Sequence, residues 1–313
     1  MIMVDMQLMG VDTSPEYDKQ FWNYMTDRKA DLNLLDKAKN ASAATYNVPM
    51  TTSNKLEEQI RKESVIRKIA SVINAKANGY KIAAVDCKDI AQYVREGDEL
   101  PLYDGMDDFD SLTVDSHKLV SFIKLGEDFV HDATFDIEKY LVKRFGRCIA
   151  KGEDRAFICG TGENEPTGIL DDKAGAMIGL ESTGMTFDDV ISLYFSVDSE
   201  YRSRGVWLMN DSVALELRAL KDSAGNYLWN SANDTILGKP VIISDSMPDA
   251  EKGSKPIAFG DFSYYWVIRR KPVSMKMLKE AFVTRDQLGY LAVEYLDGKL
   301  VRREAIKVLL IAE

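Results

Sequence analysis

FICGTGENEPTGIL, residues 157–170, is the segment from which most of the architecture of this chain can be inferred. A predicted long amphipathic helix runs into it and ends at a loop with three glycines and a proline: Gly160, Gly162, Gly168 and Pro166. Glycine tolerates positive φ and close approach of other backbone, whereas proline fixes its own φ and removes a hydrogen-bond donor. We therefore expect the loop to be a structural turn of defined shape.

The loop does not fit a nucleotide site. A phosphate-binding loop requires a lysine after its last glycine, and none follows Gly168. The dinucleotide pattern fails because Glu165 stands where its third glycine belongs, and both nucleotide motifs follow a strand rather than a helix. Glu163 and Glu165 would also repel a phosphate. A soluble enzyme of acyl or phosphate chemistry that uses loop 160–168 is therefore the weakest function we consider.

Composition and charge exclude several other functions. The chain has 313 residues, 45% of them hydrophobic, and its 50 acids outnumber its 40 bases to give a net charge of −10. This balance argues against nucleic-acid binding through bulk charge. Cys87, Cys148 and Cys159 lie far apart, and His117 and His131 have no partners at ligand spacing. We predict no metal, no cofactor, no catalytic residue and no membrane-spanning segment.

The end of the long helix resembles a viral family. Residues 156–170 follow the pattern A-F-I-x-G-x-G-x-x-x-P-x-G-I-L, which resembles the major capsid proteins of tailed bacteriophages with the Hong Kong 97-type fold. Further segments agree with that family in the same order: Val48-Pro49, 60–73 (IRKESVIRKIASVI), 207–210 (WLMN), 220–228 (LKDSAGNYL), 237–241 (LGKPV) and 259–263 (FGDFS). The resemblance extends from about residue 16 to the C-terminus.

The resemblance implies an α+β fold of the Hong Kong 97 type with four regions. They are an N-terminal arm (1–47), an extended β-hairpin loop (74–116), a discontinuous peripheral domain with a long spine helix and a sheet (48–73, 117–185 and 270–313), and an axial α/β domain (186–269). The axial domain would point at the centre of a pentamer or hexamer.

The resemblance also implies a function, that of a structural virion subunit. Copies would self-assemble into pentamers and hexamers of an icosahedral shell that encloses phage DNA without sequence-specific binding. Portal, scaffold, protease and decoration proteins are the further partners that the family suggests, with assembly in the cytoplasm of the host bacterium. An encapsulin-like shell that encloses an enzyme is the alternative with the same fold.

Alternating polarity around Ile82 and Ala84, and again over 112–125, predicts two strands joined by a turn-rich segment. A two-stranded hairpin is at best marginally stable alone in water. No adjacent segment looks available to cover it, so we expect a neighbouring subunit to do so.

The charged residues near the tip of this hairpin are all acidic. Residues 96–115 contain eight acids and no lysine or arginine. Our candidates for contacts between subunits are Asp107, Asp108, Asp110, Arg269, Arg270 and Lys271. Basic residues also cluster at Arg61-Lys62 with Arg67-Lys68 and at Lys143-Arg144 with Arg147. Opposite charges on separate segments can steer association, although a solvated loop rich in turn-forming aspartate explains the acids equally well.

Periodicity predicts the remaining elements. Helices are expected at 16–29, 56–73, 133–157 (capped by Asp132), 187–202 (capped by Thr186 with Asp189), and from Asp211 or Ser212 to about 222. Strands are expected at 206–209, 241–243, 257–259, 273–278, 290–296 and 299–311, the last two joined by a hairpin turn at Asp297-Gly298. The strands after residue 273 would form a sheet beneath the long helix. Residues 31–47 are polar with little to bury, so they should lie across something else, which in the resembled family is a neighbouring subunit.

The chain departs from the family at two points. Some members join subunits by an isopeptide between a hairpin lysine, for which Lys81 or Lys88 would serve, and an asparagine near the C-terminus. Residues 281–313 contain no asparagine, so we expect non-covalent contacts to hold the shell. Only about 15 residues precede Glu16, so we expect that a scaffolding segment has been removed or is supplied by another protein.

Overall fold

The computed structural model describes residues 14–40, 44–75, 81–85, 109–132, 134–221, 227, 229 and 235–312. Helices in these ranges are α1 (Pro15–Met25), α2 (Leu32–Asp36), α3 (Met50–Glu63), α4 (Ile66–Ile69), α5 (Glu127–His131), α6 (Ile137–Cys159), α7 (Phe187–Ser196), α8 (Ser199–Arg202) and α9 (Asp211–Ala219). Strands in the same ranges are β1 (Lys39–Asn40), β2 (Thr45–Asn47), β3 (Ser71–Asn74), β4 (Lys81–Val85), β5 (Phe109–Thr113), β6 (His117–Gly126), β7 (Met177–Ser182), β8 (Val206–Met209), β9 (Thr235–Ile236), β10 (Lys239–Ile243), β11 (Ile257–Gly260), β12 (Tyr265–Leu278), β13 (Gln287–Leu300) and β14 (Ile306–Ile311). None of these helices combines the length and apolar character that crossing a membrane requires.

The first sheet is built on the two longest strands. Its order is β1-β2-β12-β13-β6, and β3 runs parallel to β12 beside it. β13 pairs antiparallel with both β12 and β6. Helices α1, α3 and α6 cover this sheet, and their apolar sides share one core in which Phe21, Leu56, Phe145 and Tyr290 are fully buried.

The long helix α6 is present, but it begins four residues later than predicted. Asp136 is its N-cap, because the Asp136 carboxylate accepts a hydrogen bond from the Lys139 N–H at 3.0 Å. Asp132, the predicted cap, instead accepts from the Thr134 N–H at 2.8 Å. The short helix α5 ends at His131, and Asp132 serves the turn that separates α5 from α6.

The predicted helix at 56–73 is wrong in its extent. α3 ends at Glu63, α4 is a single turn, and 71–74 form β3. The break is held by Asp154 of α6, whose carboxylate accepts from the Ser64 hydroxyl (2.7 Å), the Val65 N–H (2.8 Å) and the Ile66 N–H (3.0 Å). These N–H groups cannot then donate to carbonyls of a continuing helix, so the chain turns here.

The predicted hairpin turn at Asp297-Gly298 is also wrong, because both residues lie inside β13. They pair with Ile268 and Val267 of β12. A Cβ on Gly298 would lie 2.8 Å from the Phe157 ring and would also clash with the Tyr265 hydroxyl. Glycine is therefore required here for packing against the end of α6, and its turn-forming capacity is not used.

The second sheet forms an α/β layer of order β7-β14-β11-β8-β10-β9. Helices α7 and α9 share a core with it, in which Trp207 and Phe259 are fully buried. The predicted Thr186–Asp189 capping box at the start of α7 is confirmed. The predicted helix 187–202 is interrupted at Val197, however, and continues only as the short helix α8.

The last strand lies in a different sheet from the one predicted. β14 pairs antiparallel with β11 and parallel with β7, in the second sheet. The prediction placed 299–311 as one strand beneath the long helix, whereas β13 ends at Leu300 and the chain then crosses to the other sheet. β7 and β14 lie outside residues 186–269 but belong to the same sheet as the strands of the predicted axial domain. The domain bounds remain a prediction.

The N-terminal segment packs on its own chain. Tyr17, Phe21 and Met25 of α1 and Leu35 of α2 are fully buried in the first core. The Tyr290 hydroxyl donates to the Met25 carbonyl at 3.0 Å. The expectation that 31–47 have little to bury is wrong for the described part of this range, since Leu35 and its neighbours find their burial partners within the same subunit.

The predicted hairpin is confirmed at its base, where β4 and β5 pair antiparallel from Lys81–Thr113 to Val85–Phe109. The predicted second strand over 112–125 is wrong in its extent, because β5 ends at Thr113 and the chain continues as β6, which pairs with β13 in the first sheet. The turn-rich segment between them lies outside the described residues.

Candidate assembly elements

The loop after α6 closes back on the helix that leads into it. Thr161 and Thr167 form an antiparallel bridge. The N–H groups of Gly168, Ile169 and Leu170 donate to the carbonyls of Gly160, Phe157 and Ile158 at 2.8, 2.8 and 2.9 Å. The last carbonyls of a helix have no partner within the helix, so the loop supplies partners that would otherwise be missing.

Crowding and backbone conformation explain the glycines of this loop. Gly162 has φ of +80°, which favours glycine. A Cβ on Gly168 would lie 2.5 Å from the Gly160 nitrogen and 2.6 Å from the Ile158 oxygen. A Cβ on Gly160 would in turn clash with the Pro166 carbonyl oxygen. The loop is thus a structural cap of the spine helix.

The polar groups of the loop serve its own shape. The Glu165 carboxylate accepts from the Thr161 N–H at 3.1 Å. Partial desolvation of the sulfur raises the pKa of the Cys159 thiol, which donates to the Ser246 carbonyl at 3.2 Å. A thiol with a raised pKa is a poor nucleophile at neutral pH, so this geometry does not favour covalent catalysis at the loop.

A cluster of buried charges joins three helices to the first sheet. Arg67 makes a bidentate contact with Glu153, with Nε–Oε2 of 2.7 Å and Nη2–Oε1 of 2.5 Å. It also donates to Glu294 at 3.1 Å and to Glu57 at 3.2 Å. Nη2 of Arg269 lies 2.7 Å from Glu57. The cluster connects α3, α4 and α6 to β12 and β13, and removing one partner of such a buried pair typically costs about 3–5 kcal/mol.

The cluster carries one excess negative charge when all its groups are ionised, because three carboxylates face two guanidiniums. Burial raises the pKa of Glu153 to about 8, since desolvation outweighs the attraction of Arg67. For Arg67, desolvation is outweighed by its three carboxylate partners, which raise its pKa well above the ordinary value. The folded chain therefore favours one bound proton at the cluster at neutral pH.

The sequence pattern does not predict this cluster. Its run of basic residues places Arg67 beside Lys68 in a patch that could steer association, whereas Arg67 is only 5% exposed. The available signal was the position of Glu153 and Asp154 on the apolar side of α6, four residues before Phe157 and Ile158. A charged residue at a core position requires a buried partner.

The sequence-predicted contact residues are placed as follows. Arg269 and Arg270 are 6% and 9% exposed. Arg270 lies 3.5 Å from the Asp115 carbonyl, and Lys271 lies 3.3 Å from the Asn40 side chain. Asp107 and Asp108 fall outside the described residues, and Asp110 lies in β5, where only the backbone is described. Contacts between subunits at these six residues stay a prediction.

Two groups of side chains bring three potential metal ligands within 4.8 Å of one another: Asp27, Glu127 and His131, and Asp115, His117 and Asp297. A lysine already pairs with each group. Lys279 pairs with Asp27, and Lys299 lies 2.8 Å from Asp115 and lowers the pKa of its carboxyl. Ion pairing thus accounts for both groups.

Comparison with known proteins identifies the family. A model described as the phage capsid family matches residues 44–311. This range covers the second sheet, the first sheet except β1, the spine helix, its capping loop and the hairpin.

The chain belongs to the phage capsid family.

Solved structures support this membership in the phage capsid family. The chain is 27% identical to the capsid of a native GTA particle, with a TM-score of 0.64 over 79% of this chain and 90% of that one. The capsid of an empty GTA particle is also 27% identical, with a TM-score of 0.69 over 80% and 90% of the two chains. A chain from Gordonia phage Cozz shares the fold at 12% identity, with a TM-score of 0.57 over 80% and 87%. Direct comparison with curated protein sequences finds no match.

The predicted Hong Kong 97-type α+β fold is thus confirmed, and the chain is a structural major capsid protein that self-assembles into a virion shell.

Proposed function

We propose that this capsid subunit assembles into pentamers and hexamers that close as an icosahedral shell around phage DNA. Membership of the phage capsid family over residues 44–311 carries the proposal. The GTA capsids, which are 27% identical, were computed with C5 symmetry, and a five-fold ring of this chain would have the same symmetry. No enzymatic role is part of the proposal.

Many modest contacts would hold this shell together. Closure of a symmetric assembly multiplies weak contacts, so no single interface has to be strong. In the proposal, Asp107, Asp108 and Asp110 orient a neighbouring subunit by charge. Portal, scaffold, protease and decoration proteins are the further proposed partners, and assembly takes place in the cytoplasm of the host bacterium.

Electron microscopy of the purified full chain tests the proposal. Closed shells, or five- and six-membered rings, are the expected result. Single dispersed subunits over a wide range of protein concentration would overturn it.

The encapsulin-like alternative has the same fold. A virus-like particle from Pyrococcus furiosus is 13% identical, with a TM-score of 0.52 over 83% of this chain and 98% of that one, which shows shared fold alone. The contents of particles isolated from the native host decide between a virion shell and an enzyme compartment. Nuclease-protected DNA supports the virion, and an enclosed enzyme supports the compartment.

A further inference from the structure

The exposed side of the spine helix α6 is almost entirely basic. Its exposed residues are Lys139, Lys143, Arg144, Arg147, Lys151, Arg155 and Cys159. Six of these seven side chains are cationic and none is acidic, although the whole chain carries a net charge of −10. A charge averaged over the whole chain conceals this local excess.

Within the described part of the chain, the positive charge of this face has no ion-pair partners. Among the described residues, no carboxylate forms an ion pair within 4.0 Å of any of these six cations. The two acids at the start of α6 are already engaged. Asp136 caps the helix through the Lys139 N–H, and Glu138 pairs with Lys55 at 2.7 Å.

The cations form a row on a rigid support. Lys139, Lys143, Arg147, Lys151 and Arg155 follow one another at intervals of four residues, so neighbours in the row lie one helical turn apart. At 1.5 Å per residue the row is about 24 Å long. α6 packs closely on α3, where a Cβ on Gly146 would come within 2.6 Å of Gln59. The backbone that carries the row is therefore fixed before any partner binds.

Duplex DNA is opposite in charge to this row, and the row is long enough to lie along several phosphates. Each strand carries one phosphate per about 3.4 Å of helix axis, so the row spans about seven base pairs. Lysine and arginine contact phosphates irrespective of the bases, which gives binding without sequence preference. The excess of acids elsewhere on the chain should keep this binding weak. Binding through phosphates releases counterions, so it should also be sensitive to salt.

We propose that the basic face of α6 binds the phosphate backbone of double-stranded DNA, and that α6 therefore lines the inner wall of the shell. This inference rests on the proposed function for the presence of DNA. It adds a defined contact between the wall and the packaged molecule.

Salt-dependent binding of a 30-base-pair DNA duplex to unassembled full-length subunits tests the inference. Fluorescence anisotropy between 50 and 200 mM NaCl should show a loss of affinity of about 10³-fold for five or six neutralised phosphates. The variant K139Q/K143Q/R147Q/K151Q removes four of the cations and should lower the slope of log K against log[salt] by about 3 to 4.

Two further variants serve as controls. K29Q/K37Q/K173Q/K252Q makes the same change in net charge at exposed lysines on other elements and should keep the slope of the wild type. K139R/K143R/R147K/K151R keeps the charge of the face and should bind as the wild type does, which separates loss of charge from any disturbance of the helix.

Three results would overturn the inference. They are no binding of duplex by the wild type at 50 mM salt, equal slopes for the face variant and the control variant, and loss of shells in the face variant while its DNA binding is unchanged. The last result would mean that another subunit covers this face. Electron microscopy of the same preparations distinguishes failure of this inference from failure of the proposed function. Shells that do not bind DNA contradict the inference alone, whereas DNA binding without shells contradicts the proposed function.

Discussion

At the scale of single residues, crowding by distant parts of the chain explains the glycines that matter most. Gly168 and Gly298 both lie near the end of α6, and a Cβ at either position would clash with atoms already there. The loop at 160–168 could be predicted as a shaped turn because its glycines and proline lie close together in sequence. The role of Gly298 could not, because Phe157 and Tyr265 are remote from it in the chain and Asp-Gly alone resembles a hairpin turn.

Replacing Gly168 with alanine should lower the free energy of unfolding of the subunit by about 1–3 kcal/mol, because the new methyl group meets backbone atoms that cannot move aside. Urea unfolding of unassembled subunits measures this change. Gly184→Ala is the matched control, since a Cβ there meets nothing within 4 Å. Equal effects of the two substitutions would contradict the packing explanation.

The buried charge cluster predicts a pH dependence of stability. The pKa of Glu153 is raised from 4.5 to about 8 in the folded chain, so the folded state holds a proton that the unfolded chain releases between these values. The resulting stabilisation is complete below pH 4.5 and is lost as pH rises through about 8. The free energy of unfolding should therefore fall between about pH 4.5 and pH 8.

Glu153→Gln cannot ionise and should flatten this decline, whereas Glu216→Gln at an exposed position should leave it unchanged. Urea unfolding of unassembled subunits at four pH values in this range provides the measurement. The same slope in all three proteins would show that Glu153 is not the group that titrates.

At the scale of elements, helix and strand types were predicted better than their ends. Repeating apolar positions identified α1, α6 and α7, because core contact imposes the period. The ends depended on long-range partners, as Asp154 breaks α3 from α4 and Asp136 rather than Asp132 caps α6. Both Asp132 and Asp136 satisfy the local rule for a cap, so only the position of α5 distinguishes them.

The N-terminal segment offers a test at this scale. Phe21 is fully buried in the first core, so Phe21→Ala should destabilise the unassembled subunit by about 3–5 kcal/mol. Leu32→Ala, at a side chain that is 51% exposed in the same segment, should change stability by less than about 0.5 kcal/mol. If Phe21→Ala left the isolated subunit unchanged, this segment would find its burial partner on another subunit instead.

At the scale of the whole molecule, the chain passes between two sheets. The sequence pattern identified β14 as a strand but assigned it to the first sheet, because hydrophobic periodicity does not specify which strands become neighbours. The ordered motifs around 156–170 and 237–263 predicted the family correctly, since a resemblance carries topology that periodicity lacks. The basic face of α6 was only partly visible in sequence, as the cluster at Lys143-Arg144 with Arg147.

The acidic hairpin predicts a defect in assembly. Replacing Asp107, Asp108 and Asp110 with lysine should reduce the yield of shells and leave the unassembled subunit folded, because reversed charge misdirects association. Sedimentation measures the yield, and urea unfolding checks the fold. The triple glutamate variant keeps the charge and should assemble normally. Normal shells from the lysine variant would show that these three aspartates do not steer association.

Sedimentation velocity of the purified full-length chain, at increasing protein concentration, tests assembly most directly. Our account predicts rapidly sedimenting particles of many subunits, in equilibrium with or derived from smaller rings. A single species at the 35.2 kDa mass of one chain, at every concentration, would contradict it.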